Sequence, residues 1–114
     1  MLVDYSFSLA TVKHSTSCIL FERMDFTLSL PDWAVEEQMR TSQICKTVEE
    51  RMNVVVRFSR LNIENNTGGP FAAAVFERDT GKLIIIGVNR VVDSNCSSAH
   101  AEIMALSLAQ KQIG

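Results

Sequence analysis

Apolar residues recur with two different periods along this chain of 114 residues. Near the start the period is two. Tyr5, Phe7 and Leu9 alternate with Ser6, Ser8 and Ala10, and Phe26, Leu28 and Leu30 alternate with Thr27 and Ser29, the pattern of half-buried strands. Ile19-Leu20-Phe21 is a shorter apolar run between them. Two or three short strands are therefore expected within residues 1–31, a segment set apart from the rest and carrying no recognisable chemistry. His14, in the polar turn Lys13-His14-Ser15-Thr16, reads as a solvated loop residue.

From Pro31 the period becomes helical. Asp32 can cap, and Glu36 and Glu37 suit a first turn. Ile44, Val48, Met52, Val55 and Val56 recur at spacings of three and four and form one apolar stripe, with Arg40, Lys46, Glu49, Glu50 and Arg57 largely off it. Met39 and Met52 read as core residues. The pattern reaches about Ile63, too far for one ordinary helix, so a break near Arg40 to Gln43 predicts two helices over about 32–64. Val54-Val55-Val56 is β-branched and weakens helix propensity locally, but its flanks keep the helical spacing.

Asn65-Asn66-Thr67-Gly68-Gly69-Pro70 is a turn by composition. Phe71 to Phe76 reads as a strand whose small side chains admit close packing, with Phe71 itself a core residue. Arg78 to Lys82 is a hairpin-length loop containing a glycine. Leu83-Ile84-Ile85-Ile86 is a continuous apolar run, typical of a strand covered on both faces, and the hairpin spans about 71–89. A polar loop, Val91 to Ser97, leads to a last helix over about 98–112. Ser97 and Ser98 are its N-cap candidates, Ala99, Ile103, Leu106 and Ile113 its expected buried face, and Gly114 a plausible C′ residue.

This order bears on completeness. A helix that follows a buried strand normally returns the chain to a parallel strand of the same sheet, and no such strand follows. Two core strands alone leave one long apolar edge unpaired. The expectation is that residues 32–114 are the first half of a domain and the chain a fragment or partial chain.

Composition narrows the class. About 46% of the residues are hydrophobic and the formal net charge is −2, enough apolar content for one cored domain and no basic block to form a nucleic-acid footprint. The N-terminus lacks the charged start and long apolar run of a signal peptide. No apolar run approaches the roughly 20 residues of a membrane span. Cys18, Cys45 and Cys96 are odd in number and widely spaced, and read as free thiols in a reducing, cytoplasmic setting.

The chemistry concentrates where the second strand gives way to the last helix, at Ser98-Ala99-His100-Ala101-Glu102. A neutral imidazole is a good zinc ligand, and a catalytic zinc keeps one position for water. Bound zinc can lower the pKa of that water from about 15.7 to about 7. A carboxylate next to the metal, rather than on it, can then move the water's proton. Residues i and i+2 of a regular helix do not face each other, so His100 and Glu102 can converge only where the chain is still entering the helix. A helix N-terminus there also favours an anionic ligand. Cys96, four residues before His100, is the one cysteine near enough to be considered as a further ligand, and no second cysteine is paired with it.

Residues of about 48 to 112 resemble the first half of the cytidine and deoxycytidylate deaminase superfamily. A helix followed by Gly69-Pro70-Phe71 resembles that family's G-x-P-F/V-G-A-V approach to its first strand. A hairpin follows, Val88-Asn89-Arg90 resembles the end of its second strand, and His100-Ala101-Glu102 matches its H-x-E motif. Histidine as first ligand is similar to the guanine, cytosine and tRNA adenosine deaminase types. The resemblance implies an α/β fold, a three-layer α/β/α sandwich that is incomplete in this chain. It also implies one zinc per subunit and a homodimer. It implies roles as well: His100 as zinc ligand, Glu102 as proton shuttle, Asn89 hydrogen-bonded to the base, and the Ala101 backbone N–H bound to a ring carbonyl or nitrogen.

Two features depart from the family. Ala72 stands where a glycine is usual, and the P-C-x-x-C half of the signature is missing, since all three cysteines precede His100. The expected function is hydrolytic deamination of a free nucleobase or nucleoside, guanine-type slightly favoured, with nucleic acid disfavoured as substrate by the acidic balance. The alternatives are a catalytically incomplete deaminase-like fragment or subunit acting as an interaction module, and an unrelated α/β interaction domain in which His-Ala-Glu is accidental.

Overall fold

The structure, a computed structural model, describes residues 24–114. The strands expected at Tyr5–Leu9 and around Ile19–Phe21 lie outside those residues, as does His14. Residues 24–31 are described and contain no strand. The alternation of Phe26, Leu28 and Leu30 meets no sheet edge among the described residues. Leu30 instead packs against the core as the chain arrives at the first helix.

Two helices follow, broken where the sequence predicts. Helix α1 spans Asp32–Arg40. Its N-cap is Pro31, not Asp32, and the Ala34 N–H closes the first turn on the Pro31 carbonyl at 2.9 Å. Asp32 becomes the first helical residue, where its charge suits the helix dipole. Helix α2 spans Val48–Glu64 and opens with a capping box: Thr47 Oγ1 accepts from the Glu50 N–H at 3.1 Å, and Glu50 accepts from the Thr47 N–H at 3.1 Å.

The apolar stripe read from the sequence is not the buried face of α2. Val48, Met52, Val56 and Ile63 are exposed, as are Ile44 and Met39. The buried positions are Phe58 and Asn62, about a third of a turn away at roughly 100° per residue. The inward face is partly polar, which hides it from a hydrophobic pattern. Arg51 lies over the Phe76 ring, 5.5 Å from its centroid, and its Nε donates to the Cys45 carbonyl at 2.9 Å.

Strands β1 (Ala72–Phe76) and β2 (Leu83–Val88) form an antiparallel pair. Ala72 opposes Val88, Ala73 opposes Gly87 and Ala74 opposes Ile86, with a register shift at Val75/Phe76. Alternation sorts these residues onto two faces. Ala72, Ala74, Phe76, Ile86 and Val88 join Leu30, Trp33, Ala34, Val54 and Phe58 in one core beneath α1 and α2. Gly87, on the other face, meets helix α3 (Ala101–Ile113). Helices therefore cover both faces of the sheet, the three-layer α/β/α arrangement the sequence implied, present here as a two-stranded part of it.

The outer edge of β1 has no strand partner among the described residues, while that of β2 is partly covered. The Leu83 N–H donates to the Gln43 carbonyl at 2.8 Å, and Ile44 bridges Lys82. The Gln38 side chain accepts from the Ile86 N–H at 2.9 Å and reaches the Ile84 carbonyl at 3.4 Å. A carboxamide carries both a donor and an acceptor, so it can stand in for a strand's peptide group.

Helix α3 also turns a different face inward from the one expected. Ala101, Met104, Ala105 and Ala109 are buried, while Ile103, Leu106 and Ile113 are exposed. The cause is the short distance between helix and sheet. A Cβ on Gly87 would overlap the Ala101 carbonyl and the Ala105 amide, so alanines stand where the helix crosses Gly87, with Met104 buried beside them. Ala99 is buried as expected, but it lies before the helix rather than in it. Phe71 is exposed, not core. No helix among the described residues is long and apolar enough to cross a membrane.

Candidate active site

The second strand ends at Val88, and Asn89 follows it at 9% exposure. The Asn89 N–H donates to the Phe71 carbonyl at 3.0 Å, continuing the ladder by one residue. Its side-chain Oδ1 accepts from the Val91 N–H at 3.3 Å. That bond fixes the amide's orientation, and Nδ2 has no partner among the described residues. A donor on a strand end, held by its own oxygen, can recognise a carbonyl or ring nitrogen.

Residues 91–99 cross from β2 to α3. The Arg90 N–H donates to the Ala99 carbonyl at 2.8 Å. This one bond places the residue after Asn89 against the residue before His100. The crossing loop is closed further by Ser94 N–H on the Arg90 carbonyl at 2.8 Å and Cys96 N–H on the Val91 carbonyl at 3.1 Å. Asn95 takes a left-handed φ of 49°, which asparagine tolerates better than most residues.

His100 is the N-cap of α3, with extended dihedrals (φ −68°, ψ 157°). Neither Ser97 nor Ser98 caps the helix. His100 supplies the first acceptor, its carbonyl taking the Met104 N–H at 2.9 Å, but no side chain caps the first turn. The N–H groups of Ala101 and its neighbours are therefore left without helical partners, aimed out of the helix start. Ala101 is 1% exposed, whereas His100 and Glu102 are exposed. Because His100 is still extended and Glu102 is the second helical residue, the i to i+2 pair sits at the helix mouth, where the sequence reasoning required it.

The backbone thus gathers Asn89, His100, Ala101 and Glu102 at one end of β2 and α3. No side-chain hydrogen bond joins Asn89, His100 and Glu102 among the described residues. Two clefts lie nearby or beyond. One of about 290 Å³, lined by Ile63, Asn66, Gly68, Gly69, Val92 and Asp93, opens between the glycine-containing turn before β1 and the loop after β2. The other, of about 310 Å³ and lined by residues including Cys45, Glu50 and Val54, lies against the start of α2. Neither is lined by His100 or Glu102.

Among the described residues no group of three or more His, Cys, Asp or Glu side chains could hold a metal ion. A catalytic zinc takes three protein ligands, and of the expected metal-binding residues the described part of the chain contains His100 alone. The described residues do not by themselves make a zinc site. Cys96 is not paired with His100. Its Sγ lies 3.3 Å from Ser98 Oγ, and that hydroxyl, followed by the Ser98 and Ala99 N–H groups, draws the thiol below its ordinary pKa.

Two residues that pattern reading passed over help to build this end of the molecule. Gly87 lets α3 lie close to the sheet. Asn62 is 0% exposed inside α2 and hydrogen-bonds the Asn89 carbonyl at 3.0 Å. Its signal in the sequence was a polar residue between Leu61 and Ile63, in phase with Phe58.

No family model matches the chain, and no curated protein matches it. Solved structures do. A guanine deaminase from Nitrosomonas europaea is 46% identical, with a TM-score of 0.71, over 80% of this chain and 49% of that one. A complex of guanine deaminase with 2,6-diaminopurine is 50% identical, with a TM-score of 0.69, over 76% of this chain and 45% of that one. A mutant in complex with 8-azaguanine is 48% identical, with a TM-score of 0.71, over 79% and 48%. The chain spans about half the length of the solved proteins it matches.

Proposed function

The chain belongs to the cytidine deaminase-like superfamily, and on that footing we propose that the full protein is a zinc-dependent hydrolytic deaminase of a free nucleobase, guanine by preference. The observation that carries this reading is the placement of His100-Ala101-Glu102 at the uncapped start of α3, tied through Arg90 and Ala99 to Asn89. The chain around it is about half identical to guanine deaminases, solved with purine bases bound.

The reaction is a hydrolysis. Water forms a C–O bond at the ring carbon bearing the amino group, one of its protons goes to a ring nitrogen and the other to the amino group, the C–N bond breaks, and ammonia leaves. His100 would supply one of three zinc ligands, the others coming from outside the described residues. When bound, zinc would supply an activated water. Glu102 is free of hydrogen-bond partners among the described residues, so its carboxylate can take water's two protons in turn, passing one to the ring and one to the departing nitrogen. Asn89 Nδ2 donates to the base, and the Ala101 N–H offers a second fixed donor. The chain is proposed to be the first half of a subunit that dimerises. The free thiols Cys45 and Cys96 suit a reducing, cytoplasmic setting.

The test is ammonia release from guanine, cytosine and adenosine by the full-length protein, with metal analysis. Guanine should be the best substrate, with about one zinc per subunit. Glu102→Gln should cut kcat by about 10² to 10⁴, the range for lost general acid–base help, while keeping the zinc. His100→Ala should lose the zinc. Undiminished ammonia release by Glu102→Gln would overturn the assignment.

A second reading has one observation in its favour, the single imidazole donor among the described residues. In that reading the protein is a deaminase-like interaction module without activity. Full-length protein that neither binds zinc nor releases ammonia would establish it.

A further inference from the structure

Asn62 is fully buried in the middle of the fold, and every polar atom of its side chain is used. Nδ2 donates to the Gly69 carbonyl at 2.8 Å and to the Asn89 carbonyl at 3.0 Å. Oδ1 accepts from the Thr67 hydroxyl at 2.8 Å. The Thr67 oxygen in turn accepts from the Trp33 indole N–H at 2.8 Å. The proton order along this relay has no ambiguity. An indole nitrogen only donates and a carbonyl oxygen only accepts, so the amide of Asn62 has one allowed orientation.

The relay joins α1, α2, the loop before β1 and the end of β2. Gly68 closes it from above: at φ +155°, a Cβ there would overlap both the Asn89 carbonyl and the Asn62 amide. Arg90 closes it from the side, donating to the Thr67 carbonyl at 2.9 Å. Asn89 is therefore held at both backbone polar atoms, its N–H by Phe71 and its carbonyl by Asn62. These two bonds set the direction in which its side chain leaves the strand.

We propose that Asn62 is a positioning residue for Asn89, and that the Trp33–Thr67–Asn62 relay sets how tightly the site holds its base. This rests on the deaminase reading, in which Asn89 touches the base. A leucine at 62 would fill the space with no polar group to desolvate, but it would leave the Gly69 and Asn89 carbonyls without their partner. Burying an unsatisfied polar group is unfavourable. An amide here gives the strand end one geometry rather than several.

The experiment is steady-state kinetics of the full-length protein with guanine, alongside 8-azaguanine binding by calorimetry and thermal melts. Thr67→Val removes the hydroxyl at nearly constant volume, and Thr67→Ser restores it. Thr67→Val should raise KM and the 8-azaguanine Kd about tenfold with kcat within about twofold, the signature of lost binding rather than lost chemistry. Thr67→Ser should return both to within about twofold of wild type. A KM and Kd unmoved in Thr67→Val, or no recovery in Thr67→Ser, would overturn the positioning role. If Thr67→Val does not fold, Trp33→Phe, which keeps a ring but loses the N–H, takes its place. It should raise KM about threefold, and an unmoved KM would overturn the role equally. The two readings fail differently. A wild type that neither turns over guanine nor binds 8-azaguanine removes the deaminase reading and this one with it. A wild type active on guanine beside an unmoved KM removes only the relay's role.

Discussion

Gly87 on β2 and Ala105 on α3 meet backbone to backbone, with no room between them for a methyl group. The same contact includes the Ala101 carbonyl, one residue past His100. The position of the helix start, and so of the proposed ligand and proton shuttle, is set by how closely α3 can lie on the sheet. Gly87→Ala should therefore push the helix outward. Overpacking a tight interior costs about 1–3 kcal/mol, and backbone is a stiff obstacle, so the upper part of that range is expected in thermal or urea unfolding. Activity should fall as well, because the displacement falls on Ala101 directly. Wild-type stability in Gly87→Ala would mean that the seam is looser than described.

The capping box at the start of α2 gives a pH-dependent prediction. The Thr47 N–H, and after it the Lys46 N–H, hold the Glu50 carboxyl below its ordinary value of 4.5. A group with a lowered folded pKa contributes stability that is fully present above its unfolded pKa and is lost as pH falls through the folded one. The difference in melting temperature between wild type and Glu50→Gln should therefore be constant from neutral pH down to about 4.5 and shrink in stronger acid. Thr47→Ala should cost about 1 kcal/mol at neutral pH, the usual value of an N-cap side chain.

Cys96 offers a chemical test of the crossing loop. Ser98 and the following amides favour its thiolate, and thiolate is the form that reacts. Cys96 should be alkylated by iodoacetamide faster than the buried Cys45, as peptide mapping would show. Ser98→Ala should move the pH midpoint of that reaction upward, toward the ordinary thiol value. An unchanged midpoint would mean that the Cys96–Ser98 contact does not persist in solution.

Phe58 is the largest fully buried side chain among the described residues, and its ring lies 5.9 Å from that of Trp33. Phe58→Ala should destabilise by about 3–5 kcal/mol, the range for a deleted core aromatic. Urea unfolding measures it directly. A loss under about 1 kcal/mol would place the core elsewhere.

The sequence was legible where one physical cause dominated. The break between α1 and α2, the Gly-rich turn, the hairpin and the helix after β2 each follow from periodicity and turn chemistry. So does the placement of His100 and Glu102 at a helix mouth. The helix faces were misread because burial depended on partners rather than on hydrophobicity. Val48, Met52 and Val56 form the more apolar stripe of α2, yet Phe58 and Asn62 face the sheet, since Asn62 finds every hydrogen bond it needs there. On α3, Ala101 and Ala105 rather than Ile103 and Leu106 face the sheet, because Gly87 brings the backbones into contact at those two positions. Phe26, Leu28 and Leu30 alternate like a strand, but among the described residues no neighbouring strand accepts them. Gln38, capping the outer edge of β2, could not be inferred from any local pattern, because the pairing spans 48 residues of sequence.

Trp33 is the chain's single tryptophan, and its indole is bonded to the loop that precedes β1 while its ring rests on the central phenylalanine. Intrinsic fluorescence of the native protein therefore watches one place, the meeting of the helical layer with the end of the sheet that carries Asn89. The molecule carries its own optical reporter there, and excitation near 295 nm would follow that junction through unfolding or ligand titration without any label being attached.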